Sequence, residues 1–381
     1  MMTSVRSAAL CVLTVTMLAF KSTLLAAEPF QYDFAEIKIP AATADESLRA
    51  SVSTALAVDY LEHGSMAWNG QRKCVSCHTN GTYMTVRPAL SPALGKPPET
   101  TRQFFVETLA SLQKEERRKL KQGTRPAQVI YLAAGLAEWD RHVAGSLSSE
   151  TEQALALMFD IQNDQGTWGT LDCWPPYESD AFHEANVAGM AVATAPGWLE
   201  KTLAATNDDG SPTELRQSVE LLRTYLRTQT PPHDYGRTLL LWTNTRWEGL
   251  LDAAAEQSLV DLLRGHQRDD GGWSIRTFAA PEAWGKGNRA EKLRAEPDFS
   301  IPASDGHMTG LAIITLRSAG VPGDDPAIER GVKWLQTHQR SSGRWWTRSL
   351  NTDSWHFITY SGTAFPLLAL HMCDQLPRPT P

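Results

Sequence analysis

Three residues in the first quarter of the chain have the types and spacing needed to hold a redox cofactor. Cys74, Cys77 and His78 form a C-x-x-C-H sequence. Two thiols at this spacing can add across the two vinyl groups of a haem, while the adjoining imidazole binds the iron. The motif therefore predicts a covalently attached haem c, held by both cysteines and with His78 as an iron ligand.

Other chemistry is open to the same motif. A zinc site needs about four ligands, and no second Cys/His pair stands at a fitting spacing. A thioredoxin-like pair is expected in a βαβ setting, which this helical sequence lacks, and a disulfide between the two cysteines is a further alternative. The sixth iron ligand also stays open. Met84 is the nearest candidate in sequence, with His63, His142 or a vacant position as alternatives.

A second set of chemically capable residues precedes several apolar segments. We select Asp305, His307, Glu178, Asp180 and Glu184 as candidates for acid–base catalysis. Each of them singly is also suited to helix capping or solvation, so their expected convergence on one rim of a cavity is what makes them a candidate group. The wider set of polar residues at helix starts comprises Tyr177, His183, His233, Asp234, Tyr235, Asp353 and His356.

Residues 1–27 have the pattern of an export signal. Arg6 supplies a basic region, residues 8–20 form an apolar stretch too short to span a bilayer comfortably, and residues 25–27 offer small side chains for cleavage. Lys21 interrupts the apolar block, so an uncleaved anchor is the alternative. No later segment approaches the ~20 apolar residues of a membrane helix. We expect a periplasmic or secreted protein.

Composition excludes one class of partner. The 381 residues are 42% hydrophobic and 21% charged, with a net charge of -7. Nucleic-acid binding requires a basic face, so nucleic acid is not an expected partner. Cys11 lies within the signal, and Cys173 and Cys373 could either pair with each other or remain free thiols.

A repeat positions these residues. A helix that ends near a glutamine is followed by a Gly-x-Trp turn and then by a more apolar helix. The copies are Gln162 with Trp168, Gln267 with Trp273, Gln339 with Trp345, and a degenerate copy at Gln229.

Six helical pairs can be counted, each with an amphipathic outer helix and a largely buried inner helix. Because stacked pairs cannot bury their faces alone, they form either an open array or a closed ring. Six pairs predict an all-α fold, an (α/α)6 barrel with little β-structure. The expected pairs are 46–92, 100–140, 148–197, 212–250, 252–319 and 325–373, within a domain of residues 46–375 that is flanked by an extension (28–45) and a tail (376–381).

The segment from Arg330 to Trp345 resembles the QW motif of squalene-hopene cyclases and related prenyltransferase-repeat proteins. Residues 362–366 are similar to the Gly-Thr-Gly-Phe-Pro segment near the C-terminus of those cyclases. The resemblance covers roughly residue 46 onward, as one α/α barrel where cyclases have two. It implies a structural role, tying each turn to the next outer helix, for Gln162, Trp168, Gln267, Trp273, Gln339 and Trp345.

The resemblance also bears on chemistry. Cyclases of this family protonate an alkene with an Asp-x-Asp-Asp acid, which this chain lacks, and the nearest substitute is Asp305 in the segment 304–307. Squalene cyclisation is therefore not expected. The chain also resembles exported cyclase-like proteins in which Cys-Val-Ser-Cys-His occupies the turn of the first helical pair.

Three functions follow as hypotheses. The first is a haem-bearing redox protein that exchanges electrons with a partner protein or oxidises a ligand held in the barrel. The second is a terpenoid cyclase or isomerase with a hydrophobic small molecule in an aromatic-lined cavity. The third is a non-catalytic binding scaffold.

Overall fold

A computed structural model describes residues 30–172 and 174–376. Three predicted features lie outside the described residues: the signal (1–27), nearly all of the tail 376–381, and Cys173. The structure therefore does not test a Cys173–Cys373 disulfide. The chain enters through an antiparallel hairpin of β1 (Tyr32–Phe34) and β2 (Ile37–Ile39). Everything that follows in the described part is built from helices and turns.

The helices follow the hairpin in chain order. They are α1 (Thr54–Arg72), α2 (Asn80–Val86), α3 (Ser91–Leu94), α4 (Glu99–Leu112), α5 (Arg117–Leu120), α6 (Arg125–Trp139), α7 (Ser149–Asp160), α8 (Ala181–Thr194), α9 (Trp198–Ala204), α10 (Glu214–Thr228), α11 (Asp234–Asn244), α12 (Ala253–Gly265), α13 (Ala290–Arg294), α14 (Gly306–Ser318), α15 (Pro326–Thr337) and α16 (Ile358–Met372).

Six of these helices form a closed inner ring. Helix α2 contacts α6, and contacts continue from α6 to α8, α11, α14 and α16 before α16 returns to α2. The outer helices α1, α4, α7, α10, α12 and α15 each precede an inner helix and pack on the outside. The predicted (α/α)6 barrel is confirmed, and the open array is wrong.

The two layers differ in their sequence pattern. Outer helix α10 buries Val219, Leu222 and Leu226, which lie on one face because they are three or four residues apart. Inner helix α14 is buried along almost its whole length, from Gly306 to Leu316. None of the helices in the described ranges combines the length and apolar character that crossing a membrane requires.

The repeat tryptophans close each turn onto its own outer helix. The indole Nε1 of Trp168 donates to the carbonyl of Met158, and Trp345 donates to Leu335, both at 2.8 Å. Trp273 makes the equivalent bond to Leu263 at 2.7 Å. All three indoles are essentially buried.

The repeat glutamines join successive pairs. Gln162 Nε2 donates to a carbonyl of its own turn and to Ser218 of α10, the next outer helix. Gln267 makes the same two kinds of bond, the second to Ala327 of α15. Gln339 reaches Ser53, the N-cap of α1, and so joins the last pair to the first. The glutamines therefore have the structural role implied by the resemblance, whereas the tryptophan indoles hydrogen-bond to their own outer helix.

One expected boundary needs correction. An inner helix was expected over residues 239–250, but α11 ends at Asn244. The Asn244 side-chain oxygen accepts hydrogen bonds from the backbone amides of Leu250 and Leu251, at 3.1 and 2.9 Å. This side chain therefore stabilises a turn where the apolar pattern alone suggested continued helix.

Candidate functional site

The inner helices enclose a narrow cavity of about 50 Å³. Near its open end lie Thr85, Glu138 and Arg246, at the C-terminal ends of inner helices. Toward the other end lie residues at or before the N-termini of inner helices, including Tyr177 and His183. The wall between them is apolar and aromatic: Ala134, Val187, Ala191, Leu239, Trp242 and Phe365.

Histidines and tyrosines form a hydrogen-bonded layer at the end of the cavity that is lined by Tyr177 and His183. Tyr131 hydroxyl lies 2.9 Å from His183 Nε2, and Tyr235 hydroxyl lies 3.2 Å from His307 Nε2. His307 Nδ1 is 2.7 Å from the Ser361 hydroxyl, which also bonds the Tyr177 hydroxyl. Part of the expected set, Tyr177, His183, Tyr235 and His307, therefore meets here. Asp305, Asp353 and His356 line a different pocket.

Burial sets the protonation of the two histidines. It lowers the pKa of His183 to about 4 and the pKa of His307 to about 3. Both rings are therefore neutral at pH 7. His183 Nδ1 is buried and has no hydrogen-bond partner among the described residues.

Two carboxyl groups, Glu178 and Glu184, lie beside this layer, each adjacent in sequence to a residue that lines the cavity. Glu178 is 5% exposed and Glu184 is fully buried. Glu178 Oε2 and both oxygens of Glu184 lack a partner within the described part of the chain. Burial raises the pKa of Glu178 to about 7. Burial, reinforced by the charge of Glu178, raises the pKa of Glu184 well above its ordinary value. Burial therefore favours the protonated form of Glu184.

The other two candidate carboxylates cap helices. Asp180 accepts a hydrogen bond from the amide of His183 at 2.8 Å and begins α8. Asp305 accepts from the amides of Met308 and Ile275, at 2.9 and 2.7 Å, and begins α14. Burial raises the pKa of Asp305 to about 6, yet its oxygens are engaged by the backbone. Asp305 lines a separate pocket of about 470 Å³.

The C-x-x-C-H segment forms the turn between α1 and α2. Asn80 fixes this turn, because its amide donates to the Cys74 carbonyl at 3.0 Å and its oxygen accepts from the Ser76 amide at 2.7 Å. Cys74 is half-buried, Cys77 is buried, and neither forms a disulfide. Cys77 Sγ lies 3.8 Å from Glu178 Oε1. Two sets of residues that the sequence presented separately therefore meet in one place.

His78 packs among aromatic rings. The centroids of Trp68 and Phe357 each lie 4.7 Å from that of the imidazole. His78 Nδ1 is 2.8 Å from the Thr79 hydroxyl, which in turn lies 3.1 Å from the Tyr32 hydroxyl. Burial lowers the pKa of His78 to about 3, so the ring is neutral.

The candidates for a sixth ligand have other contacts. Met84 is buried on α2 with its Cβ against Gly135 of α6. His63 and His142 each lie beside a carboxylate four residues earlier, at 3.0 and 3.2 Å. The rings around His78 belong instead to α1, to the segment before α8 and to the residue before α16.

Sequence reasoning missed several members of the site. Tyr131 lies in the middle of α6 and Ser361 in the first turns of α16, where each reads as an ordinary helix residue. Arg246, at the open end, forms an ion pair with Glu138 and lies over the Trp242 ring at 5.2 Å. Only proximity in the folded barrel identifies these residues.

Comparison with known proteins identifies the C-terminal part of the chain. Residues 233–375 match the family model of the squalene-hopene cyclase C-terminal domain. A search of curated proteins gave no match. The matched segment contains α11 to α16 and the repeat copies at Gln267 and Gln339. This part of the chain is therefore similar to the squalene-hopene cyclase C-terminal domain.

Proposed function

We propose that the central cavity carries out acid-initiated isomerisation or cyclisation of an unsaturated, apolar ligand of the terpenoid class. One observation carries the proposal: two buried carboxyl groups with unpartnered oxygens, Glu178 and Glu184, each directly follow a residue that lines an aromatic cavity, Tyr177 and His183. The similarity of residues 233–375 to the squalene-hopene cyclase C-terminal domain also supports the proposal.

The chemistry is a proton cycle. A buried carboxylic acid that is protonated at neutral pH gives its proton to one carbon of an alkene. The faces of Trp242 and Phe365 and of the tyrosines stabilise the resulting cation. Loss of a proton from a neighbouring carbon to the carboxylate restores a double bond and the acid, so there is no net oxidation or reduction. Exclusion of water protects the cation from hydration.

The cavity limits the ligand. A cavity of roughly 150 Å³ is known to bind benzene, and the central cavity is about 50 Å³. Squalene does not fit, and even a small terpenoid requires movement of the lining. Met190, a half-buried lining residue with a flexible thioether side chain, is suited to such movement.

Deuterium incorporation tests this function. The purified protein is incubated in D2O with monoterpene and sesquiterpene alkenes, and products are analysed by gas chromatography with mass spectrometry. We expect labelled isomers from the wild type and a loss of about 100-fold or more in Glu184→Gln, because the amide cannot supply the proton. Glu248→Gln, at an exposed position, is the matched control. Absence of label from every alkene, or equal label from Glu184→Gln, contradicts the proposal.

Haem attachment at the α1–α2 turn is the second candidate function. The observation that favours it is a neutral His78 whose Nδ1 is engaged by Thr79 and whose Nε2 has no hydrogen bond within the described ranges, next to two unpaired thiols. These features fit a covalently attached haem. Cys74 and Cys77 would form the thioethers, and His78 would bind iron. When bound, haem supplies one-electron transfer. This function would need an electron-transfer protein as the partner. It would also need export of the chain, directed by residues 1–27.

A pyridine haemochrome assay tests the second candidate. The full chain is expressed for export in a host that has haem-attachment machinery, alongside a Cys74→Ser/Cys77→Ser double variant. We expect covalent haem absorbance in the wild type and none in the variant. A colourless wild type with both thiols titratable contradicts haem attachment, and leaves the alkene experiment unaffected.

A further inference from the structure

The first helical turn and the segment before α8 meet at one contact. Cys77 and Glu178 are 101 residues apart in sequence, and Cys77 Sγ lies 3.8 Å from Glu178 Oε1. Both residues are 5% exposed. Within the part of the chain that the structure describes, this thiol makes the only hydrogen bond to the Glu178 carboxyl group.

The backbone on both sides is fixed independently of this contact. Glu178 has a φ of 48°, a left-handed conformation that is uncommon for a residue with a long side chain and is found where surrounding structure enforces it. Its carbonyl accepts a hydrogen bond from Thr170. The Cys77 carbonyl accepts one from Thr82 at 2.7 Å. The main chain is therefore set, while the carboxyl group depends on the thiol for its orientation.

The contact places a thiol sulfur 3.8 Å from a carboxyl oxygen. A protonated thiol beside a carboxylate donates a weak hydrogen bond. Cys74 has different surroundings, with Trp68, Arg125 and Arg72 contributing to its electrostatics.

We propose that Cys77 is the positioning residue of the acid site: its S–H group orients the carboxyl of Glu178, which follows the cavity-lining residue Tyr177. This inference rests on the proposed function of the cavity and adds that the C-x-x-C-H turn and the acid site act as one unit. Any reaction that removes the S–H group releases the carboxyl. A thioether to haem does so, and so does a Cys74–Cys77 disulfide, in which two thiols give two electrons and two protons to an added disulfide oxidant.

The protonation of Glu178 reports this contact directly. Infrared difference titration follows carboxyl absorbance against pH, and the band lost in Glu178→Gln identifies the residue. Because the thiol hydrogen bond favours the charged carboxylate, Cys77→Ala is expected to shift the titration midpoint upward by about half a pH unit. Cys77→Ser retains a donor and should restore most of the wild-type midpoint. Cys74→Ser, which keeps the donor at Cys77, should leave the midpoint unchanged.

Oxidation provides the same test without a substitution. Wild-type protein treated with oxidised dithiothreitol should show the upward shift, and reduction should reverse it, while Cys74→Ser should not respond. Equal midpoints in wild type and Cys77→Ala, or a shift in Cys74→Ser as large as in Cys77→Ala, overturn the inference. A normal midpoint shift without alkene turnover contradicts the proposed function alone, and turnover with no shift contradicts the positioning role alone.

Discussion

The raised pKa of Glu178 makes the free energy of unfolding depend on pH. The pKa of Glu178 is about 7 in the folded protein and ordinarily 4.5. The folded state therefore binds the proton more tightly than the unfolded state. The stability from this group is fully present below about pH 4.5 and is lost as pH rises through about 7.

Glu178→Gln should remove this dependence. Relative to wild type, we expect the variant to gain up to about 3 kcal/mol in free energy of unfolding between about pH 5 and about pH 8, since each pKa unit corresponds to about 1.4 kcal/mol. Urea denaturation at both pH values measures it. The buried histidines lose stability toward acid in both proteins alike, so the difference reports Glu178 together with its effect on Glu184. Parallel pH profiles for wild type and variant would rule out a raised pKa.

Residue types alone predicted which side chains could do chemistry, but not which of them are in contact. Cys74, Cys77 and His78 were recognisable because three residues in one short segment carry the motif. The Cys77–Glu178 contact was not, because no periodic pattern links positions that far apart. Asp180 and Asp305 were ambiguous for a different reason: helix capping and acid catalysis use the same side chain at the same place.

At the scale of elements, the repeat glutamines connect one helical pair to the next. Gln267 donates to its own turn and to Ala327 of α15, both at 2.8 Å. Gln267→Ala removes both donors and leaves two carbonyls without this partner, so we expect a loss of about 2 kcal/mol in free energy of unfolding. Gln229→Ala, at the exposed degenerate copy, should change it by less than about 0.5 kcal/mol. Equal losses in urea denaturation of the two variants would refute the bridging role.

Helix positions were more predictable than helix ends. The spacing of Gln and Gly-x-Trp located the outer helices, because the turn chemistry repeats with them. The end of α11 depended on the side chain of Asn244, which bonds two amides beyond the helix. Helix α13 and the turns around it lie in a long insertion between α12 and α14 that has no counterpart in the repeat.

Closure of the ring is a property of the whole molecule. The sequence indicated it only through the number of helical pairs. Six pairs are compatible with an open array or a barrel. The structure decides between them through the contact of α16 with α2 and the bond of Gln339 to Ser53. Closure gives the inner helices a common interior, so residues from five of them line one cavity.

A ring and an array respond differently to loss of their last pair. Truncation after residue 324 removes α15 and α16 and exposes the buried faces of α14 and α2, which are far apart in sequence. In a closed ring this breaks two interfaces and the cavity wall, so we expect no cooperative thermal transition by circular dichroism. Deletion of residues 377–381 alone is the control and should melt like the full chain. In an open array the remaining pairs would stay folded with a modest loss of stability, and that result would refute closure in solution.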